Sequence, residues 1–174
     1  MSRLSYAIRV TLGEEGGYSD RKADRGGATN YGVTQRTYDE FCKLSGRPQR
    51  PVKQISMEEV LLIYGTYWKD AHCSYIPEPL DVLVFDAAIN HGAGRAIKLL
   101  QQTLGVDVDG IAGRGTMQAL HEEMTNGDIV ELCTLYLEHR KNFFNEIIAK
   151  RPDQEVFRNG WYNRIEHLRG LIGE

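Results

Sequence analysis

Leu4, Ala7, Ile8, Thr11 and Leu12 recur at three- and four-residue intervals behind Ser2, a residue type whose hydroxyl caps first helical turns. This spacing predicts a helix that runs to Glu14–Glu15 and stops at Gly16-Gly17. Residues 16–33 are rich in Gly, Asp and Ser and predict a loop or short strands. A second helix is expected from Thr34, carrying Tyr38, Phe41 and Leu44, and "SGRPQRP" at 45–51 reads as a connector. Ser56 and Glu59 stand at capping-box spacing ahead of Val60, Ile63, Tyr64, Tyr67 and Trp68. "PEPLDVLVFDAAINHG" is apolar over about three turns, which predicts a buried helix ending at Gly92.

The pattern stays helical to the end of the chain. "GRAIKLLQQTLG" is amphipathic and bounded by glycines, "VDVDGIAGRGT" is a turn, and a short helix is expected from Thr116. Asp128 is placed to cap a long helix through Leu132, Leu135, Leu137, Phe143 and Ile147. A last helix is expected over roughly residues 154–171, with Phe157, Trp161, Ile165 and Leu168. No alternating strand run and no internal repeat is visible. The expected fold class is therefore mainly α, with at most a small β-hairpin in the Gly-rich region and a helical C-terminal lobe. A boundary near residues 91–93 divides the chain into 1–92 and 93–174.

Composition narrows what such a fold does. The 174 residues are 41% hydrophobic and 26% charged, with a formal net charge of −3, as in a soluble globular protein. Residues 1–90 hold 11 Lys/Arg against 12 Asp/Glu, and residues 91–174 hold 10 against 12. Neither half carries a basic footprint for nucleic acid or a polybasic run for a membrane surface. No stretch approaches the roughly 18 apolar residues that span a bilayer, so stable membrane insertion is not expected. "MSRLSYAIRVTLGEE" lacks the apolar core and cleavage site of a secretory signal, so synthesis in the cytoplasm is expected. Cys42, Cys73 and Cys133 are odd in number and far apart, which predicts reduced, partly buried thiols rather than a disulfide framework or zinc site.

The chemistry concentrates in residues 14–32, "EEGGYSDRKADRGGATNYG", with four carboxylates, three basic side chains and five glycines. A P-loop, a Gly-x-Ser-x-Gly elbow, a zinc-peptidase helix and a complete calcium loop are all missing, so no metal or cofactor is expected. A carboxyl at a helix C-terminus faces the negative end of the macrodipole, which favours its neutral form, and desolvation in a cleft adds to this. Glu15, beside the Gly-Gly break, is thereby a candidate general acid. Glu14 competes for the role, but adjacent helical residues point roughly 100° apart and one cleft accepts one of them. Asp24, nine residues on across a glycine-rich loop, can return as an ionised partner. Two carboxyls in unlike environments are what glycosidic cleavage requires. Thr29, Asn30 and Thr34 could position water or substrate hydroxyls. The same residues also fit a solvated loop.

Tyr18 and Tyr31 sit in the glycine-rich region, where sugar contact and packing stand as equal readings. Tyr64, Tyr67 and Trp68 at helical spacing read as core. Asn90 and His91 read as a cap or core-polar pair, and Asp109 and Arg114 as residues that fix the glycine turn.

"EGGYSDRKADRGGATNYGVT" resembles the signature of the N-acetylmuramidases of glycoside hydrolase family 108, in which Glu-Gly-Gly-aromatic leads to Asp-x-Gly-Gly-x-Thr-Asn-x-Gly. "LLIYGTYWKDA" resembles the family's Tyr-x-x-x-Tyr-Trp region. "FDAAINHGAGRAIKLLQQTLGVDVDGIAGRGTMQAL" resembles the peptidoglycan-binding region that follows the catalytic part. The resemblance covers nearly the whole chain in the family's order. It implies a lysozyme-like catalytic region over 1–92, a peptidoglycan-binding-like helical region over 93–174 packed on it, and Glu15 as the catalytic acid. In related phage lysozymes a Glu is followed nine positions on by Asp and then by a water-holding Thr. Glu15 and Asp24 match the first interval. Strict spacing for the third lands on Asn30, while the hydroxyl is on Thr29, so both stay open.

The function implied is a peptidoglycan hydrolase that cleaves the β-1,4 bond between N-acetylmuramic acid and N-acetylglucosamine, for cell lysis or protein release through the wall. A lytic transglycosylase using Glu15 alone and a catalytically idle, peptidoglycan-binding secretion accessory are the alternatives. The resemblance further implies glycan strands as partner, holin-dependent export and action at the cell wall or periplasm. No nucleic acid partner is expected, and the chain is expected to be a monomer.

Overall fold

Helix α1 (Arg3–Leu12) begins at the expected cap: Ser2 is extended, and its hydroxyl accepts the Ser5 N–H at 3.2 Å. Its end differs from the expectation. Gly13 takes φ +75°, a conformation open to glycine at little steric cost, and the helix stops at Leu12 instead of continuing to Glu14–Glu15. The computed structural model describes residues 1–13, 18 and 28–173. Glu14, Glu15 and Asp24 lie outside them. Among the described residues the chain forms eight α-helices and one two-stranded sheet, a mainly α, lysozyme-like fold. It divides into two compact units, residues 1–67 and 68–174. The division falls inside α3 (Met57–Asp70), whereas residues 91–93 mark the junction between α4 (Leu80–His91) and α5 (Ala93–Leu104).

In the first unit, β1 (Thr29–Asn30) and β2 (Val33–Thr34) pair antiparallel, Thr29 opposite Thr34 and Asn30 opposite Val33. The two turn residues between them, Tyr31 and Gly32, both have positive φ, at 48° and 73°. That is the hairpin turn whose twist matches the strands, and its second position suits glycine. Gly32 is required for a second reason. An added Cβ would meet Leu12 Cδ2 at 2.6 Å and the Tyr64 hydroxyl at 2.7 Å. Tyr64 donates that hydroxyl to the Tyr31 carbonyl at 3.0 Å, so α3 holds the turn directly.

Thr34 ends the hairpin and caps α2 (Gln35–Leu44), its Oγ1 accepting the Thr37 N–H at 3.2 Å. Tyr38 and Cys42 of α2 are buried, while Leu44, expected on the same face, is exposed. The capping box of α3 forms in full: Ser56 N–H donates to Glu59 Oε2 at 2.9 Å, and Glu59 N–H to Ser56 Oγ at 3.2 Å. Glu59 does more than cap. It is only 1% exposed and accepts the Tyr38 hydroxyl at 3.0 Å, Arg50 Nη2 at 2.6 Å and Arg47 Nη1 at 3.2 Å. Burial pushes its carboxyl up, but the bonds from Ser56, Tyr38, Arg50 and Arg47 outweigh burial and hold it at about 2.

In the second unit α4 is buried on every side from Leu80 to Ala88, as a run apolar but for Asp81 and Asp86 demands, and packs on α5 and α7 (Ile129–Lys150). The charge on this helix is neutralised inside. Asp86 is 1% exposed; Arg164 Nε donates to its Oδ1 at 2.9 Å, and Arg140 Nη1 lies 2.6 Å from Oδ1, off the line of a hydrogen bond. Burial raises the Asp86 carboxyl, and the two guanidiniums override this and hold it below the usual range. Arg140 Nε donates to His91 Nε2 at 3.4 Å. Burial first, then Arg140, pushes that imidazole down to about 4, which keeps it neutral as an acceptor. Cys42, Cys73 and Cys133 are buried free thiols.

Three helical details differ from expectation. α6 (Arg114–Asn126) starts two residues before Thr116 and runs 13 residues. Asp128 caps α7 as expected, but Leu135 is exposed, and Phe144 and Ile148 take the buried positions beside Phe143 and Ile147. The last segment is split into a 3₁₀ run, Pro152–Phe157, and α8 (Arg158–Arg169), because Pro152 has no N–H with which to continue α7.

Three outcomes are expected. Gly32→Ala loses about 1–3 kcal/mol of stability through backbone strain and the Leu12 and Tyr64 clashes; a urea midpoint equal to wild type would show that the turn relaxes freely. Glu59 is depressed in the folded state from its ordinary 4.5, so its contribution is present above about 4.5 and is lost as pH falls toward 2. Denaturation midpoints taken at successive pH values should therefore fall less steeply over that window in Glu59→Gln, and an identical slope would contradict the assignment. Asp86→Asn leaves Arg140 buried without its countercharge and should cost about 3–5 kcal/mol, read by the same unfolding curves.

Candidate active site

Three elements of the first unit, α1, the hairpin turn and α3, line one cleft of about 480 Å³. α1 lines it with Ser5, Ile8, Arg9 and Leu12, positions three and four apart on a single helical face. Met57, Val60 and Leu61 of α3 form the facing wall, and Tyr31 enters from the hairpin turn. Gly13, two positions before Glu15 in the sequence, completes the lining. The walls are mainly apolar, and Arg9 brings a cation to them.

The hairpin is mounted by side-chain amides. Asn30 is 7% exposed, and its Nδ2 donates to the carbonyls of Val52 and Lys53, both at 3.3 Å. Gln35 accepts the Val52 N–H at 2.6 Å and donates to the Arg50 carbonyl at 2.9 Å and to Asp39 at 2.8 Å. Its own backbone N–H donates to the Ala28 carbonyl at 2.8 Å. Two amides, Asn30 of β1 and Gln35 at the start of α2 directly after β2, thus fasten the hairpin to the 3₁₀ turn Val52–Gln54 and the residues before it.

The expected site residues fall into three groups. Glu15 and Asp24 lie outside the described residues. Asn30 and Tyr18 meet at the same turn: Asn30 binds the Lys53 carbonyl, and the Lys53 ammonium lies 5.3 Å from the centroid of the Tyr18 ring, which is 42% exposed. Tyr31 faces the cleft, and Thr29 pairs with Thr34 across the hairpin. Tyr64 and Trp68 are buried, in line with the core reading. Arg9, Met57 and Leu61 of the cleft and the Gln35 clamp were not expected. Gln35 has a readable sign, an amide at the first helical position with Asp39 four residues on, whereas Arg9 looks like any exposed helix residue.

Comparison with known proteins adds the family. The glycosyl hydrolase 108 family model matches residues 8–92, and the predicted peptidoglycan domain model matches residues 95–166. Among solved structures, Brucella abortus SagA is similar over 96% of this chain and 91% of that one, with 28% identity and a TM-score of 0.77. No curated protein matches the chain. The cleft lining from Ile8 to Leu61 falls inside the first matched segment; the chain carries a glycosyl hydrolase 108 domain over residues 8–92 and is a peptidoglycan hydrolase.

Proposed function

We propose that the chain is an N-acetylmuramidase that hydrolyses the β-1,4 bond between N-acetylmuramic acid and N-acetylglucosamine, with Glu15 as general acid. The observation that supports this reading is the cleft of the first unit, whose lining includes Gly13, two positions before Glu15 in the sequence. Ala28, four positions after Asp24 in the sequence, accepts the Gln35 N–H at 2.8 Å at the foot of the hairpin. Glu15 gives its proton to the glycosidic oxygen as the bond to the anomeric carbon breaks. Asp24, ionised, supports the positive charge that develops there, and water completes hydrolysis.

Thr29 and Asn30 are both candidates for holding that water; the Asn30 amide donors bond to the Val52 and Lys53 carbonyls, which leaves its oxygen for the role. Tyr31 contributes a ring to the cleft, and Tyr18 a half-exposed ring beside Lys53. The physiological role proposed is opening of the wall for lysis or protein release. Access by a holin-dependent route and action as a monomer at the wall are part of this proposal.

Glu15→Gln should unfold at the wild-type midpoint and lose about 10²- to 10⁴-fold in the release of reducing ends from purified sacculi. Digestion at the wild-type rate would remove Glu15 from the mechanism. Mass analysis of the fragments reads the reaction type. Saturated reducing ends accord with hydrolysis, and anhydro-muramic ends would replace it with transglycosylation.

A further inference from the structure

Within the second unit α5 packs on α7, and both helices turn polar side chains toward one recess of about 140 Å³. Arg95, Leu99 and Gln102 reach it from α5 at intervals of four and three. His139, Asn142 and Glu146 reach it from α7 at intervals of three and four, with Phe143 between them. Each set is one helical face, so the convergence is built into the register of two rigid elements. Packing alone would favour apolar residues at such an edge. Here only Leu99, buried, and Phe143, half-buried, supply an apolar floor.

The polar groups are not spent on one another. Among the described residues, the side chains of Gln102, His139, Asn142 and Glu146 make no hydrogen bond or ion pair with protein. Arg95 is held at the recess with its guanidinium 4.5 Å from the Phe143 ring centroid. One Arg and one Glu leave the lining close to neutral, which does not suit a phosphate or a polyanion, since these call for clustered cations. Two amides, a carboxylate and an imidazole offer donors and acceptors over a small apolar floor. A ligand rich in hydroxyls, with an amide and one methyl group, matches that inventory.

We propose that this recess is a glycan-binding site that holds one N-acetylhexosamine of a peptidoglycan strand. The acetamido methyl rests on Leu99 and Phe143, and the hydroxyl and amide groups bond to Gln102, Asn142 and Glu146. The site uses none of the residues of the cleft in the first unit. It rests on the reading of the chain as a peptidoglycan hydrolase and assigns part of the grip on the wall to the α5–α7 edge.

The test is a nuclear magnetic resonance titration of the full chain with the disaccharide N-acetylglucosaminyl-β-1,4-N-acetylmuramic acid. This probe lacks the bond that a muramidase cuts and is therefore not consumed. Amide shifts are expected across residues 95–102 and 139–146. Gln102→Ala and Asn142→Ala, both at exposed positions, should each weaken that binding about tenfold. Both variants should still cleave short soluble glycans at the wild-type rate while being retained less by sacculi. Shifts confined to residues 1–67, no shifts at millimolar sugar, or unchanged affinity in both variants would each overturn the proposal. Shifts at α5 and α7 from a protein that releases no reducing ends from sacculi would support the site and refute the muramidase reading.

Discussion

The buried Glu59 carboxylate is the constraint on which the first unit depends. It stands at the start of α3 and gathers Tyr38 from α2, Arg47 and Arg50 from the connector, and the Ser56 N–H from its own cap. A carboxylate excluded from water is costly unless its oxygens are satisfied, and this one receives four donors. Meeting that demand fixes where the connector runs. The Val52–Gln54 turn at its end then becomes the surface to which Asn30 and Gln35 fasten the hairpin. The position of Tyr31 in the cleft follows from a charge buried well behind it.

The second unit repeats the device with a different balance. Asp86, like Glu59, is 1% exposed and shared by two arginines. Arg47 and Arg50 are 38% and 39% exposed, so their attraction to Glu59 is partly screened by solvent. Arg140 is fully buried and lends its remaining polarity to His91. The Asp86 pair is thereby the harder of the two to replace piecemeal. It ties α4 to α7 and α8 across a helix whose buried stretch is otherwise largely apolar, which fixes the mutual register of elements whose apolar contacts alone would tolerate sliding.

Much of this was legible along the chain. Ser2, Thr34, Asp128 and the Ser56–Glu59 box were readable as caps because capping is a local hydrogen bond. The burial of α4 was readable because a helix apolar on every face has no other stable place. The partners Tyr38, Arg47 and Arg50 of Glu59 and Arg164 of Asp86 were not readable, since they lie 9 to 78 residues away and no local pattern links them. The site divides in the same way. The signature that points to Glu15 and Asp24 is contiguous, whereas the cleft is assembled from α1, the hairpin turn and α3, and Arg9 and Met57 carry no sign of it.

The early end of α1 changes the physical argument for the general acid. Had the helix run to Glu15, the negative end of its macrodipole would have favoured the protonated carboxyl. That influence fades within the last turn, and Glu15 stands three positions beyond Leu12. For the role proposed for Glu15, a raised proton affinity would have to come from removal from water beside apolar side chains. Ile8, Leu12, Val60 and Leu61 are the apolar lining of the cleft that Gly13 also lines. Gly13 thus ends the helix before Glu15, so the helix macrodipole does not carry the tuning of the proposed acid.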